Sequence, residues 1–434
     1  MLAKIAADIA AEGGRAYYVG GYVRDRLLNR APARGEDIDI EVYFLNQAEL
    51  QSILSSYGKT SQVGKSFPVL KISGHPEWDF TLPLDPELPL AEACGRRDFT
   101  INAMMMDILS GAILDFYGGQ ADLCNRFIRH TRPDVFERDP LRAYRALHFA
   151  ARFAFTIHPS TLALISQTDL GQVKPERIYR ELKKLLLLAP HPSAGLRYMQ
   201  TTGILERMHP LLFALTSCPQ GPDSHPEGDV WEHTLLVVDQ AARLRDSSSH
   251  PEALMLAALL HDLGKPATTC QQGDQITTYG HDLLGEKLAC QFMEGLINNR
   301  SLIEAIALLV KEHMQPILLY KQREQVSDKA IRHLLHRINL PELLLLAEAD
   351  YLGRGRERDF QAIRNWLLGR VRALGLQPDT RINPLVRGRD LLQLGLPPGP
   401  AYTPILAYAF ELQLEGLSKA AILQELRAAY RGAV

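Results

Sequence analysis

The sequence predicts an α+β protein, with an α/β head at the N-terminus and an all-helical remainder. Three observations carry this. Residues 1–125 alternate strand and helix signals. Within them, Gly20-Gly21 joins the strand-like Tyr17-Tyr18-Val19 to the helix-like Tyr22-Val-Arg-Asp-Arg-Leu-Leu28, and a second strand, Asp37-Ile-Asp-Ile-Glu-Val-Tyr-Phe44, follows. From about Leu123 the apolar spacing turns helical and stays so, broken by the Pro- and Gly-rich stretch Ser217–Asp229. A chain of 434 residues exceeds one ordinary domain. The breaks divide it into a head at 1–125, a helical neck at 126–216, a helical domain at 226–360 and a helical tail at 361–434.

Within the head, Met1–Glu12 is Ala-rich and helical, and Gly13-Gly14 stops it. Gly20 and Gly21 let the backbone approach a ligand closely, and the helix start behind them suits a phosphate, with Arg24 one turn in. Strand alternation puts Asp37 and Asp39 on one face and Ile38 and Ile40 on the other. Such a pair can hold Mg²⁺, or it can be the solvated side of an edge strand. A helix follows near Gln47–Tyr57, with strands near Pro68–Ile72 and Trp78–Leu82; Asp79 lies in the last. Gly95-Arg-Arg-Asp-Phe-Thr-Ile-Asn102 comes next, with Arg96 and Arg97 placed to meet triphosphate or RNA and Asn102 to meet a ribose or base edge. Met104–Met106 read as core, and Ile113–Gly119 as the strand and turn that close the head.

The net charge of −2 leaves any nucleic-acid contact to a local patch. Residues 126–200 supply one, with 13 Lys and Arg against 6 Asp and Glu, although a solvated helix surface would look the same. Here Asp139 and Arg142, three apart behind Pro140, are expected on one helix face that Arg145 and Phe149 extend. A carboxylate beside a guanidinium offers acceptors and forked donors to a nucleobase edge; a helix-start salt bridge is the plainer alternative. Beyond the Pro/Gly break come His233, the pair His261-Asp262 after the apolar run Ala253–Leu260, then His281, Glu312-His313, Glu348 and Asp350. Imidazoles and carboxylates recurring in a helical frame suit a divalent transition metal. The five cysteines are scattered with no Cys-x-x-Cys pair, which excludes a thiolate zinc site of that spacing and fits a reducing cytoplasm. No apolar run reaches the length of a membrane span.

Gly20-Gly-Tyr-Val-Arg-Asp25, Asp37-Ile-Asp39 and Arg96-Arg-Asp-Phe-Thr-Ile-Asn102 together resemble the bacterial-type (class II) tRNA nucleotidyltransferases and their poly(A) polymerase relatives. The resemblance implies a polymerase-β-like nucleotidyltransferase head, a tRNA acceptor, CTP and ATP as substrates and Mg²⁺ as cofactor. It implies metal binding by Asp37 and Asp39 with Asp79 assisting. It also implies nucleotide contacts by Gly20, Gly21, Arg24, Arg97, Asp98 and Asn102, an amino-acid template formed by Asp139 and Arg142 with Arg145 beside it, and support from Arg177 and Arg180. His233, His261, Asp262 and Asp350 resemble the ligand set of HD-type metal phosphohydrolases, which act on phosphomonoesters or 2′,3′-cyclic phosphates; His281 and His313 match extra positions of some members. One departure stands out. Between Pro83 and Arg96 only about a dozen residues remain, where full CCA-adding members carry a longer Arg-containing loop. That shortness implies addition of CC alone, with a separate A-adding enzyme as partner. A poly(A) polymerase, an HD phosphohydrolase with an inactive head and a non-catalytic RNA-binding protein are the rival readings; intact Asp37, Asp39 and Arg97 argue against the last two.

Overall fold

The computed structural model describes all residues except 31–36, 65–67, 84, 86–87, 223–224, 274, 355–358 and 431–434. It divides into two compact units, Met1–Leu185 with Ala194–Met208, and Leu186–Ser193 with His209–Val434.

The first unit is built on a seven-stranded sheet ordered β3-β4-β5-β2-β1-β6-β7. Its strands are β1 (Arg15–Val19), β2 (Ile38–Tyr43), β3 (Thr60–Val63), β4 (Val69–Ile72), β5 (His75–Thr81), β6 (Met105–Asp107) and β7 (Ile113–Leu114). β2 and β5 run parallel; the other pairs are antiparallel. Helices α1 (Leu2–Ala11) and α3 (Gln47–Ser55) bring Ile5, Ile9, Leu50 and Leu54 into one buried cluster with Ile40, Val42, Leu70, Ile72 and Phe80. α3 starts where Asn46 accepts from the Glu49 N–H at 3.0 Å and Glu49 accepts from the Asn46 N–H at 2.8 Å, a capping box. Alternation along β2 then turns Asp39, Glu41 and Tyr43 to the other face, where Tyr43 packs with Tyr17, Val19, Cys94, Ala103 and Met105.

α2 (Gly21–Leu27) follows β1 directly, and α4 (Leu90–Gly95) and α5 (Gly119–Asn125) complete the head. β3 and α4 were not evident in the sequence. Met104, Met105 and Met106 are all buried, as their reading as core requires. The following helices are α6 (Val135–Arg138), α7 (Arg142–Phe153), α8 (Pro159–Gln167), α9 (Pro175–Leu188), α10 (Pro192–Thr201) and α11 (Ile204–Met208), with one parallel ladder between β8 (Phe127–Ile128) and β9 (Thr156–Ile157).

The second unit is helical: α12 (Pro210–Phe213), α13 (Val230–Leu244), α14 (Pro251–Leu260), α15 (Lys265–Thr268), α16 (His281–Glu294), α17 (Arg300–Glu312), α18 (Gln315–Lys321), α19 (Asp328–Arg337), α20 (Leu340–Leu352) and α21 (Gln361–Ala373). α14 is apolar all round and every residue from Ala253 to Leu260 is buried, as a central helix must be. α13, α17 and α20 pack against it. A short hairpin, β10 (Cys270–Gln272) with β11 (Gln275–Thr277), interrupts the helical run that the sequence predicts. The tail, α22 (Gly388–Gln393), α23 (Tyr402–Glu415) and α24 (Lys419–Ala429), buries its own cluster of Leu391, Ile405, Leu412, Ile422 and Leu426. Among the described residues no helix is long and apolar enough to cross a membrane.

Gly264, between α14 and α15, is a packing requirement. A Cβ there would stand 2.0 Å from the His281 carbonyl oxygen, which is backbone and cannot step aside. Gly264→Ala is therefore expected to destabilise the helical unit by about 1–3 kcal/mol, read as a lowered denaturant midpoint; an unchanged midpoint would show that α16 slides freely.

Candidate functional site

In the head, β2 and β5 pair with Asp39 directly opposite Asp79, and Asp37 immediately precedes β2 rather than lying within it. Gly20, at φ +67°, lies against this group: a Cβ there would sit 3.2 Å from Arg97 Nη1 and 3.7 Å from Asp39 Oδ2. The double glycine thus leaves its space beside an acid and a guanidinium, the close approach that the sequence predicts. A cleft of about 300 Å³ opens there, lined by Gly21, Tyr22, Arg24, Asp25, Arg26, Arg30, Asp37 and Asp39. Burial, with Asp79, Asp37 and Glu41 nearby, raises the Asp39 carboxyl against the pull of Arg97. Four carboxylates (Asp37, Asp39, Glu41, Asp79) share this face with two cations, Arg97 on Glu41 at 2.7 Å and Lys71 on Asp79 at 2.5 Å. The excess negative charge and the all-oxygen donor set fit a hard divalent cation.

Two expectations are corrected here. Arg24 lines the cleft, but its donors are already engaged rather than free at the helix start. It is buried, its Nε and Nη2 donate to Asp25 at 2.9 and 2.7 Å, its Nη1 donates to Asn102 Oδ1 at 2.7 Å, and it lies over the Phe153 ring at 4.5 Å. Asn102 in turn donates to Asp98 at 2.9 Å, and Arg145 Nε donates to Asp98 Oδ2 at 2.7 Å. Asn102 and Asp98 are thus interior links, not groups open to a ribose. Burial alone would raise the Asp98 carboxyl, but Arg145 and Asn102 outweigh it and hold it low. The chain Asp25–Arg24–Asn102–Asp98–Arg145 ties the glycine turn to α7, and Arg145 stacks on Phe149 at 5.2 Å.

The second correction concerns Asp139 and Arg142. Pro140 disfavours a helical residue before it, so Asp139 is extended (φ −152°, ψ 96°) and α7 starts only at Arg142. The two therefore do not share a helix face. Asp139 accepts from Arg177 of α9 at 2.9 Å, whereas Arg142 donates to the Arg96 carbonyl at 2.7 Å. Arg180 lies exposed one turn beyond Arg177. A buried pair between α7 and α9 was not evident in the sequence: His148 Nδ1 meets Glu181 Oε2 at 2.9 Å, and Lys184 donates to Glu181 Oε1 at 2.8 Å.

In the helical unit, His233, His261, Asp262, His281, His313 and Asp350 are all buried. His233 Nε2 lies 3.1 Å from Asp350 Oδ1 and 3.8 Å from Asp262 Oδ2; His261 Nε2 lies 3.1 Å from Asp262 Oδ2, and His281 Nε2 lies 3.7 Å from Asp262 Oδ1. Nδ1 of His261, His281 and His313 donates to the carbonyls of Ala258, Thr278 and Val310 at 2.9, 2.7 and 2.6 Å. A carbonyl only accepts, so each ring keeps its lone pair on Nε2. His261 Nε2 and His281 Nε2 are buried and accept no hydrogen bond among the described residues. These orphaned donors fit a transition metal, because bonds of about 2.0–2.2 Å set adjacent ligands about 3 Å apart. Burial, with His261 nearby, pushes His313 down to about 4, leaving it neutral as a ligand must be. Asp262 is His261's neighbour in sequence and shares donor groups with His233 and His261 on one side and with His281 and His313 on the other.

The Pro/Gly stretch read as a linker supplies part of this site. Glu227 Oε1 faces His233 Nδ1 at 2.8 Å and His225 Nδ1 at 2.9 Å. Lys265 pairs with Asp262 at 2.7 Å and Arg354 with Asp350 at 3.1 Å. Glu312 and Glu348 stand apart from the ligands, tied to Arg337 and Arg364.

The chain is 35% identical to the Multifunctional CCA protein of Xanthomonas campestris pv. campestris (strain B100) over 423 residues, which span 91% of this chain and 96% of the relative. The chain belongs to the CCA-adding tRNA nucleotidyltransferase family. It is a nucleotidyltransferase of that family with an HD domain. The Multifunctional CCA protein of Xylella fastidiosa (strain M23) is 34% identical over 85% of this chain and 91% of its own. Residues 86–129 match the poly A polymerase head domain, 154–215 the probable RNA and SrmB-binding site of polymerase A, and 230–355 the HD domain. The fold matches the Bacillus stearothermophilus CCA-adding enzyme solved in complex with CTP, at TM-score 0.68, 21% identity and coverage of 99% and 98% of the two chains. It also matches the Thermotoga maritima enzyme complexed with tRNA, at TM-score 0.61, 20% identity and coverage of 98% and 94%.

Two outcomes follow from this geometry. His148 and Lys184 outweigh burial and hold the Glu181 carboxyl down at about 2, against 4.5 for a free glutamate. The unfolded chain therefore takes up a proton that the folded one resists as pH falls between those values. The wild type should lose about 3 kcal/mol across that window, whereas denaturant midpoints of Glu181→Gln should stay flatter there. For the metal centre, Glu227→Gln removes the charged acceptor that orients His233, and titration with Co²⁺ followed by its visible absorbance should give an affinity about 10–100-fold weaker.

Proposed function

We propose that this chain extends tRNA 3′ ends without a nucleic-acid template, transferring CMP from CTP, and AMP from ATP, to the terminal hydroxyl. The 3′ oxygen attacks the α-phosphorus, a new phosphodiester forms, the bond to the β-phosphate bridging oxygen breaks, and pyrophosphate leaves. The observation that carries this reading is the register of Asp39 with Asp79 beside Gly20, whose missing Cβ leaves space next to Arg97. It supports Asp37 and Asp39 as the Mg²⁺ ligands, with Asp79 at their edge. Mg²⁺ held there supplies charge neutralisation on the triphosphate and a lowered pKa for the attacking hydroxyl. Gly20 and Gly21 admit the triphosphate and Arg97 offers it a cation. Arg24, Asn102, Asp98 and Arg145 keep the turn in place against α7, and Asp139, Arg142, Arg177 and Arg180 flank the base.

The work is divided among a head at 1–125, a neck at 126–216, an HD domain at 226–360 and a tail at 361–434, a division supported by where the three family matches fall. In the HD domain, His233, His261, Asp262 and Asp350, with His281 and His313 beyond Asp262, hold a divalent transition metal. That metal supplies Lewis acidity for hydrolysis of a phosphomonoester or 2′,3′-cyclic phosphate.

A second reading of the head, addition of CC alone with a separate enzyme supplying A, is favoured by the shortness of the segment 84–95. Leu84, Pro86 and Glu87 of that segment lie outside the described residues. Incubation of this protein alone with a tRNA lacking its 3′ end, CTP and ATP decides the matter, because terminal A incorporation sinks the CC-only reading. Homopolymer tails on an unrelated primer would favour a poly(A) polymerase. In the same assay Asp39→Asn should lower CMP incorporation at least about 10²-fold, and His261→Ala should leave it intact while removing any metal-dependent phosphatase activity.

A further inference from the structure

Strand order gives the head two flanks. β4, β5, β2 and β1 are consecutive neighbours, so Lys71, Asp79, Asp39 and the Gly20–Gly21 turn follow one another across the sheet. The cleft at the glycine turn is lined as far as Asp37 and Asp39, and Asp79 and Lys71 lie beyond those acids. Lys71 stands between Leu70 and Ile72, which are buried on the opposite, apolar face, and the β4–β5 register shifts at this point. Its ammonium is 2.5 Å from Asp79 Oδ1 and 3.8 Å from Asp37 Oδ1, and it donates to the Pro76 carbonyl at 2.8 Å. An ammonium has three donors; Asp79 and Pro76 lie within hydrogen-bond distance, and Asp37 at 3.8 Å lies beyond it. The side chain remains about one-quarter exposed, at 26%.

In-line displacement sets the attacking oxygen and the leaving pyrophosphate on opposite sides of the α-phosphorus. With the triphosphate on the glycine flank beside Arg97, the attacking strand comes in over Asp79 and Lys71. We propose that Lys71 belongs to the acceptor subsite, where its ammonium binds a phosphodiester at the 3′ end of the RNA and positions the attacking hydroxyl, without touching the incoming nucleotide. Lysine suits this task as a compact point charge for phosphate. The inference rests on the nucleotidyltransferase reading above and assigns the acceptor's side of that same site.

The test uses the full chain with Lys71→Met and Lys71→Arg. Equilibrium binding of a tRNA lacking its 3′ CCA is measured against salt concentration without nucleotide, CTP binding is measured by calorimetry, and the KM of each substrate is measured for CMP incorporation. Lys71→Met should raise the acceptor Kd and KM about tenfold and make the log Kd against log salt slope shallower by about 1. CTP affinity should be unchanged, which also reports an intact fold, and Lys71→Arg should restore most of the acceptor binding. Unchanged acceptor binding and salt slope, or a CTP KM rising in step with the acceptor KM, overturns the proposal. A wild-type chain that incorporates no nucleotide would instead bring down the nucleotidyltransferase reading; incorporation by the wild type with no acceptor defect in Lys71→Met brings down the Lys71 assignment alone.

Discussion

The head depends on one strand pairing, the parallel contact of β2 with β5. It alone brings Asp79 opposite Asp39, and the antiparallel pairing of β2 with β1 brings the glycine turn to the other side of the same acids. A slip of one residue in either ladder would send Asp39 into the apolar face now filled by Ile40, Val42 and Phe80. The burial of those side chains therefore fixes the register of the acids. The same burial sets up the electrostatic tension at Asp39, whose carboxyl is raised among like charges. A site that concentrates negative charge without matching it internally is prepared to take up a cation with its substrate.

The buried polar chain from Asp25 to Arg145 shows how such a site is kept rigid. Arg24 was the obvious ligand for a phosphate by sequence, but its guanidinium is consumed by Asp25, Asn102 and the aromatic ring of Phe153. Those contacts link the helix behind the turn to Asn102 and α7. Removing Arg145 would leave the Asp98 carboxylate desolvated with only Asn102 and the Phe99 N–H to hold it. The HD centre follows the same logic. Backbone carbonyls of Ala258, Thr278 and Val310 fix the tautomers of His261, His281 and His313, and Glu227 faces His233, so that the free nitrogens converge on Asp262 and Asp350.

Much of the candidate site was legible because its residues are adjacent in the chain. Gly20-Gly21, Asp37 and Asp39, Arg97 and His261-Asp262 are local patterns, and Glu41 was open to the same period-2 reading that singled out Asp39. Lys71, the His148–Glu181 pair and Arg354 were not legible, since each matters only through a partner brought to it by folding. Glu227 was hidden for a different reason. Its Pro- and Gly-rich setting reads as a linker, and nothing in that composition tells that the loop turns inward against His233.

The sequence by itself determined the α+β class, the helix near Gln47–Tyr57, the apolar run of α14, the acid face of β2 and the family to which the chain belongs. Those features depend on periodicity or on residues a few positions apart, where the chain's own geometry makes the connection. Only the tertiary structure decided that Pro140 parts Asp139 from Arg142 and hands it to Arg177, that Arg24 is an interior brace, and that Lys71 stands at the far edge of the acids. Those outcomes turn on competition for partners among distant charged groups, and burial settles that competition once strands and helices have packed.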